Sequence, residues 1–330
     1  MEIILDHRSS LEFWRIIRPY EATRKLLAHR CEPPRLRDST QNRKPTIADI
    51  EKVEHLGLSL CSRPLHLMVS SDSARARRRD FTCSVFSKNI PRSSFVKAEK
   101  GLYVMSPELC FVLEAQKRPL ANLIELGFEL CGTYRMPLSS KECSASSQPS
   151  LTSILKLQNF VERSRGLNGV EKARRALPHI IPASDSPKET HLAMFSCMPG
   201  RLGGYGFPQA KLNSTVFISE KARGRGVGHT CRCDLYWPEV KLDVEYDSTL
   251  HHADGEKQAK DSARRTALAY EGILVISVTS TQLHTRQEMD KVAQAMAKRM
   301  GRRLRPKAAD WRTKQIQLRT QLLANNNLCW

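Results

Sequence analysis

The stretch Asp234-Leu-Tyr-Trp-Pro-Glu-Val-Lys-Leu-Asp-Val-Glu-Tyr-Asp-Ser-Thr-Leu-His-His252 reads as two strand-like runs joined at a proline, with acidic side chains opening the first and lining the second. Strand side chains alternate between faces, so Lys241, Asp243, Glu245 and Asp247 fall on one side and Leu242, Val244 and Tyr246 on the other. An ordinary amphipathic edge strand with a salt-bridged outer face has the same alternation. What weighs against that plain reading is the company: Asp234 lies 11 residues before Glu245, across a proline turn that would pair the two strands antiparallel, and Asp261, Arg264 and Arg265 follow on the next helical run. Carboxylates gathered this way suit a hard divalent cation, Mg²⁺ or Mn²⁺, whose shell is completed by water and a substrate phosphate.

The totals say what that phosphate belongs to. The chain has 330 residues, 53 Lys and Arg against 34 Asp and Glu, and a formal net charge of +19. Such a charge attracts a polyanion through its long-range field and counterion release, without any sequence preference, and DNA is the expected partner. Hydrophobic content of 40% with 26% charged residues fits a folded globular protein. The ten cysteines include no Cys-x-x-Cys pair and one close spacing, Cys231-x-Cys233, which is poor zinc spacing and reads as packed strand residues. There is neither a basic-then-apolar leader nor a run of 18 apolar residues, so no membrane partner is expected and the expected compartment is a reducing cytoplasm.

The length predicts two domains. Residues 1–137 alternate helix-like and strand-like pieces, with strands at 65–69 and 81–86 and a helix opened by Ser106-Pro107-Glu108. Between the strands lie Arg75, Arg77, Arg78 and Arg79, which read as a solvated loop, with phosphate contact as the alternative. Residues 138–150 are rich in serine, lack apolar periodicity and read as the linker. Residues 151–304 form the second domain. It has helical runs at 151–161 and 166–177, a capped helix at Ser186-Pro187-x-Glu189, a flexible loop at Gly203-Gly204-Tyr205-Gly206, and strands near 216–218, 231–237, 240–247 and 273–278 around a helix at 256–271. A helix near 287–304 follows, and residues 305–330 read as a basic tail, solvated or laid along a phosphate backbone. The fold class is α/β (α+β): a mixed sheet flanked by helices at the C-terminal end, with a smaller N-terminal α+β domain.

Taken in order, Ser186-Pro-x-Glu189-Thr, Arg232-x-Asp234-Leu-Tyr-Trp-Pro, Glu245-x-Asp247-Ser-x-x-His251, Asp261-x-x-Arg264 and Gly272-Ile-Leu-Val resemble the very-short-patch-repair-like branch of the PD-(D/E)XK nuclease superfamily over about residues 180–300. The resemblance implies a restriction-endonuclease-like sheet and metal-dependent phosphodiester hydrolysis. It makes Asp234 and Glu245 the metal-binding acids and Glu189 the preceding helix glutamate, with Glu189 as capping-box partner of Ser186 the plain alternative. Asp247 stands where many members have the lysine that orients water and stabilises transition-state charge, and Ser248 stands where this branch has glycine. Related branches follow the acids with histidine, so His251 or His252 becomes the proton-transfer candidate. Arg232, Arg264, Arg265 and Lys241 are the candidate DNA contacts, with Lys241 a stand-in for the missing lysine. For Arg264 and Arg265 the alternative is pairing with Asp261 along the helix.

Pro64-Leu-His-Leu-Met-Val69, the arginine-rich turn, Asn89-Ile-Pro91 and Gly101-Leu-Tyr-Val-Met-Ser-Pro107 are similar to the antitoxin-like domain of type IV toxin–antitoxin systems over about residues 40–130. That implies a regulatory role, through DNA or a protein partner, and carries no catalytic residue. Two functions follow: a bacterial Mg²⁺- or Mn²⁺-dependent DNA endonuclease with an accessory domain, or a non-catalytic nuclease-fold regulator that binds DNA.

Overall fold

The computed structural model describes residues 2–18, 22–32, 36, 43–52, 54, 58–86, 89–138, 147–223, 227–247, 255–304 and 309–323. Its contacts divide the chain at Ile180/Ile181 into two compact units, each mixing helices with sheet as an α/β class requires.

The N-terminal unit begins with β1 (Ile3–Ile4), α1 (His7–Ile17), α2 (Ala22–Ala28), β2 (Arg30–Cys31) and α3 (Ile47–Glu51). It continues with β3 (Leu65–Val69), β4 (Phe81–Val85), β5 (Phe95–Glu99), β6 (Leu102–Met105), α4 (Pro107–Lys117) and α5 (Leu120–Cys131). One sheet has the order β1-β6-β5-β2, while β3 and β4 pair in parallel on their own. Helix α4 starts where the sequence places it: the Ser106 hydroxyl accepts the Leu109 amide at 3.2 Å, with Pro107 in the first turn. It is the central helix, buried from Pro107 to Ala115.

The serine-rich segment is not a boundary between domains. Its described residues return to α5: the Gln148 amide donates to Thr133, those of Leu151 and Thr152 donate to Leu130, and the Pro149 carbonyl accepts from Arg18. Helices α6 (Ile154–Arg163) and α7 (Val170–Ala176), expected in the second domain, therefore belong to the first unit. Leu157, Phe160 and Val161 of α6 and Val170, Ala173 and Ala176 of α7 bury the apolar stripes that the sequence shows, packed on α4 and α5. Periodicity revealed these helices; which core they would cover is a tertiary outcome.

In the C-terminal unit the chain runs α8 (Pro187–Cys197), β7 (Lys211–Phe217), β8 (Thr230–Trp237), β9 (Leu242–Asp247), α9 (Gly255–Tyr270), β10 (Leu274–Thr279), α10 (Ser280–His284), α11 (Arg286–Arg299) and α12 (Trp311–Leu323). The sheet order is β10-β9-β8-β7, antiparallel from β7 to β9 and parallel between β9 and β10, with α9 as the crossover. Ala267 and Leu268 of α9 pack on Ile218, Cys231, Cys233 and Ile273, which accounts for both buried cysteines as core residues. Strand β9 is internal, so the amphipathic edge-strand reading fails: Leu242, Asp243 and Val244 are all buried.

Two further expectations change. The 203–206 loop is closely packed rather than flexible, since a Cβ at Gly204 would run into the Met198 carbonyl and one at Gly203 (φ +92°) into the backbone at Lys314. The basic tail contains a docked helix: Trp311 donates its indole N–H to the Gly204 carbonyl at 3.0 Å, and Leu318, Leu322 and Arg319 are buried. Among the described residues, no helix is long and apolar enough to cross a membrane.

Candidate active site

The site is built where α8 meets β8 and β9. The 3-10 turn Pro238–Val240 reverses the chain and pairs Leu235 with Val244, as the proline in the sequence foretold. Past that pair the ladder changes character. The Tyr246 amide donates to Asp234 Oδ2 at 3.0 Å, so a side chain takes a strand hydrogen bond.

Each predicted acid has a distinct environment. Glu189 sits in the first turn of α8, nearly buried: its amide donates to the Ser186 hydroxyl at 3.1 Å, and its carboxylate accepts from that hydroxyl at 2.9 Å and, in place of the Ser186 amide of a capping box, from the Asp185 amide at 3.0 Å. It also accepts from Asn213 Nδ2 at 2.7 Å, which ties the helix to β7. Burial nonetheless raises its pKa, against these donors. Its negative charge is felt at Asp234, on β8. Burial, then the fields of Glu189 and Glu245, push the Asp234 carboxyl up to about 7. Glu245 is ion-paired through Oε1 with Arg264, whose guanidinium also reaches the Arg232 carbonyl. Burial raises the Glu245 pKa, but Arg264 outweighs it and the net shift is downward, while Arg264 is held more firmly protonated by the same pair.

Asp247 closes β9 opposite Thr279, with Arg265 at 3.8 Å from its Oδ2. Arg264 and Arg265 therefore reach the strand acids and not Asp261, contrary to the helix-pairing alternative; their α9 positions face the sheet. Arg232 pairs with Asp185 at 3.0 Å and stays about half exposed. Lys241 does not join the acidic face. It adopts φ 47° as the cap of the 3-10 turn and donates from Nζ to the Glu271 carbonyl at 2.9 Å, so the cation beside Glu245 is Arg264. His251 and His252 lie outside the described residues, as does Ser248.

Sequence reasoning placed Asp243 on an acidic outer face, whereas it is fully buried and neither carboxyl oxygen has a hydrogen-bond donor. Burial, then the neighbouring Glu245, push its carboxyl pKa well above the ordinary carboxylate range. No local pattern could have signalled this, because alternation assigns faces without saying which face is covered. Asn213, in a left-handed conformation on β7, is a further organising residue that the sequence did not reveal.

Among the described residues, no group of three or more His, Cys, Asp or Glu side chains converges to hold a metal. Asp234 and Glu245 directly adjoin the Leu235/Val244 pair on β8 and β9, and each has one oxygen engaged by a protein donor, Oδ2 by Tyr246 and Oε1 by Arg264. Mg²⁺ is commonly held by one or two carboxylates with waters and phosphate, and this donor set fits it.

No protein-family model matches the chain, and no solved structure does. The chain is 23% identical over 174 residues to an uncharacterized protein of Mycobacterium tuberculosis strain CDC 1551 / Oshkosh, a match covering 53% of this chain and 59% of that protein. An uncharacterized protein of Mycobacterium tuberculosis strain H37Rv matches with the same identity and coverage. The match thus reaches about three-fifths of the length of each relative, and their names assign no activity.

Proposed function

We propose that the C-terminal unit is a metal-dependent DNA endonuclease of the PD-(D/E)XK type, with Asp234 and Glu245 as its metal-binding acids. The observation that carries this reading is the charge deficit at Asp234. Its carboxyl is half-buried near Glu189 and Glu245, its pKa is raised to about 7, and its hydrogen-bond donor among the described residues is one backbone amide. A bound divalent cation would relieve that deficit.

The order of helix, three antiparallel strands, crossover helix and parallel strand supports the reading, because it gives the mixed sheet flanked by helices that the sequence resemblance implies. Mg²⁺ or Mn²⁺ at Asp234 and Glu245 would supply Lewis-acid charge and ready a water for attack on phosphorus. Arg264 holds Glu245 in place, Glu189 and its donors hold the α8 end of the cluster, and Asp247 shares the strand end with Arg265. Arg232 and Arg265, about half exposed, are the phosphate contacts. The proton-transfer role of His251 rests on sequence alone. DNA as substrate follows from the net charge of +19.

The second reading, a DNA-binding regulator with a decayed nuclease site, is favoured by one observation: Arg264 occupies Glu245 while an acid, Asp247, stands at the lysine position. Supercoiled plasmid with Mn²⁺ or Mg²⁺ separates the two. The wild type is expected to nick or linearise it, and Asp234→Ala with Glu245→Ala, or EDTA, to stop the reaction. Mn²⁺ should raise the melting temperature of the wild type and not of the double variant. Cleavage that survives both substitutions and chelation removes these acids from the chemistry, and DNA retention with no cleavage selects the regulator.

A further inference from the structure

The arginines of the N-terminal unit's 75–79 segment are exposed, as the solvated-loop reading has them, but the backbone that carries them is ordered. The Arg78 amide donates to the Phe81 carbonyl at 2.8 Å, the Cys83 amide to the Ala76 carbonyl at 3.0 Å, and Arg77 bridges Thr82, so residues 76–82 fold back on β4. This clamp frames a cavity of about 600 Å³ lined by Pro64, His66, Arg75, Arg77, Arg78 and Thr82, with Ala76 and Cys83 completing the wall.

The charges in that wall are not answered from within the protein. Arg75 shares Asp72 at 3.0 Å, whereas Arg77 and Arg78 have no carboxylate partner among the described residues. His66 is held on both sides of its peptide: its amide donates to Ser9 Oγ at 2.9 Å and its carbonyl accepts the Asp6 amide at 2.8 Å. Behind it, Asp6 accepts from Ser84 and from the His7 amide, and the His7 ring meets the His66 ring edge to face. Burial lowers the His66 pKa, so at neutral pH the ring offers one donor and one acceptor. Two guanidinium groups without a carboxylate partner, a hydroxyl and an imidazole around a concavity make a donor set for a tetrahedral oxyanion. The cavity is larger than inorganic phosphate needs and reaches the size of pockets that hold small organic ligands.

We propose that this cavity is a binding site for a phosphate monoester of nucleotide size, with the phosphate on Arg77, Arg78 and Thr82 and the organic moiety against Pro64, Ala76 and His66. A free mononucleotide and the 5′-phosphate end of a DNA strand carry the same group. The site stands independently of the endonuclease reading, since it lies wholly within the N-terminal unit.

Calorimetric titration of the full-length protein tests it with four probes: inorganic phosphate, AMP, a short 5′-phosphorylated DNA strand and the same strand ending in a 5′-hydroxyl. AMP or the phosphorylated strand should bind more tightly than inorganic phosphate. Arg77→Glu with Arg78→Glu should weaken that binding roughly tenfold or more, the loss of a charge-assisted contact. Arg79→Glu alters the same run outside the cavity wall and should leave binding within about twofold, once salt screening is matched. Thr82→Val removes one donor without changing charge and should weaken AMP several-fold, so a folding defect in the double variant would not decide the matter. Preference for the phosphorylated strand over AMP assigns the DNA end as ligand; the reverse assigns the nucleotide. If no phosphorylated probe binds, or if Arg79→Glu costs as much as the double variant, the cavity is not a site.

Discussion

The buried acids of the N-terminal helical core and those around the C-terminal candidate site are handled in opposite ways. In the helical core Glu108 and Glu129 each have an arginine. Glu108 is met by Arg30 at 2.8 and 3.2 Å and by the Thr152 hydroxyl, and Glu129 by Arg15 at 2.8 and 2.6 Å with the Met136 amide. Burial raises their pKa values, but the arginines outweigh it and both end below the ordinary range. In the C-terminal unit Glu189, Asp234 and Asp243 are buried or half-buried, and all three shift upward. Paired acids hold a fold together. Acids left short of positive charge are tolerated where something else is to be bound, and they mark the candidate site.

The contrast breaks first at Glu129. Glu129→Ala would leave the Arg15 guanidinium without its carboxylate beside the buried Arg18, which keeps its bond to the residue-129 backbone carbonyl, with an expected loss of about 3–5 kcal/mol, read as a fall in the denaturation midpoint. The wild-type contribution of this acid has a depressed folded pKa, so it is present above the unfolded value of about 4.5 and is lost as pH falls. A loss below about 1 kcal/mol would place Glu129 with the surface pairs.

Asp234 should give the opposite sign. Its folded pKa is raised, so the folded state holds a proton that the unfolded state has already released, and stability falls as pH rises from about 3.8 toward about 7. Asp234→Asn should therefore stabilise the protein at mildly alkaline pH by up to a few kcal/mol, with the gain shrinking as the medium is acidified. Thermal melts across that range check it. Destabilisation at alkaline pH would make Asp234 a structural acid like Glu129.

Lys241 gives the smallest effect. It caps a turn and bonds a carbonyl at the surface, so Lys241→Ala should cost less than about 1 kcal/mol and leave any plasmid cleavage unchanged. A large drop in turnover with intact DNA binding would restore it as the replacement cation in place of Arg264.

Much of the framework was legible in local chemistry. Ser106-Pro107 and Ser186-Pro187 announce helix starts because a hydroxyl can satisfy a free amide and proline fits the first turn. The strands at 65–69 and 231–237 are legible from their apolar and aromatic content, and the turn between β8 and β9 from Pro238. The site was partly legible. Asp234 and Glu245 could be paired because an antiparallel turn of known length fixes register. Lys241 was misplaced because strand alternation was extended one residue into a left-handed cap, where the side chain leaves the face. The boundary at 138–150 was misplaced because a serine-rich segment looks alike whether it links two domains or returns to the same core.

The sequence by itself determined the element types, the antiparallel acidic pair and the positive charge of the chain, since these follow from side-chain chemistry over a few neighbouring residues. Only the tertiary structure decided that Asp243 is buried, that Arg264 answers Glu245, that α6 and α7 complete the first core, and that the arginine segment borders an open pocket. Each of these depends on groups distant in the chain being brought into a medium where water no longer screens them, and such encounters leave no mark on local pattern.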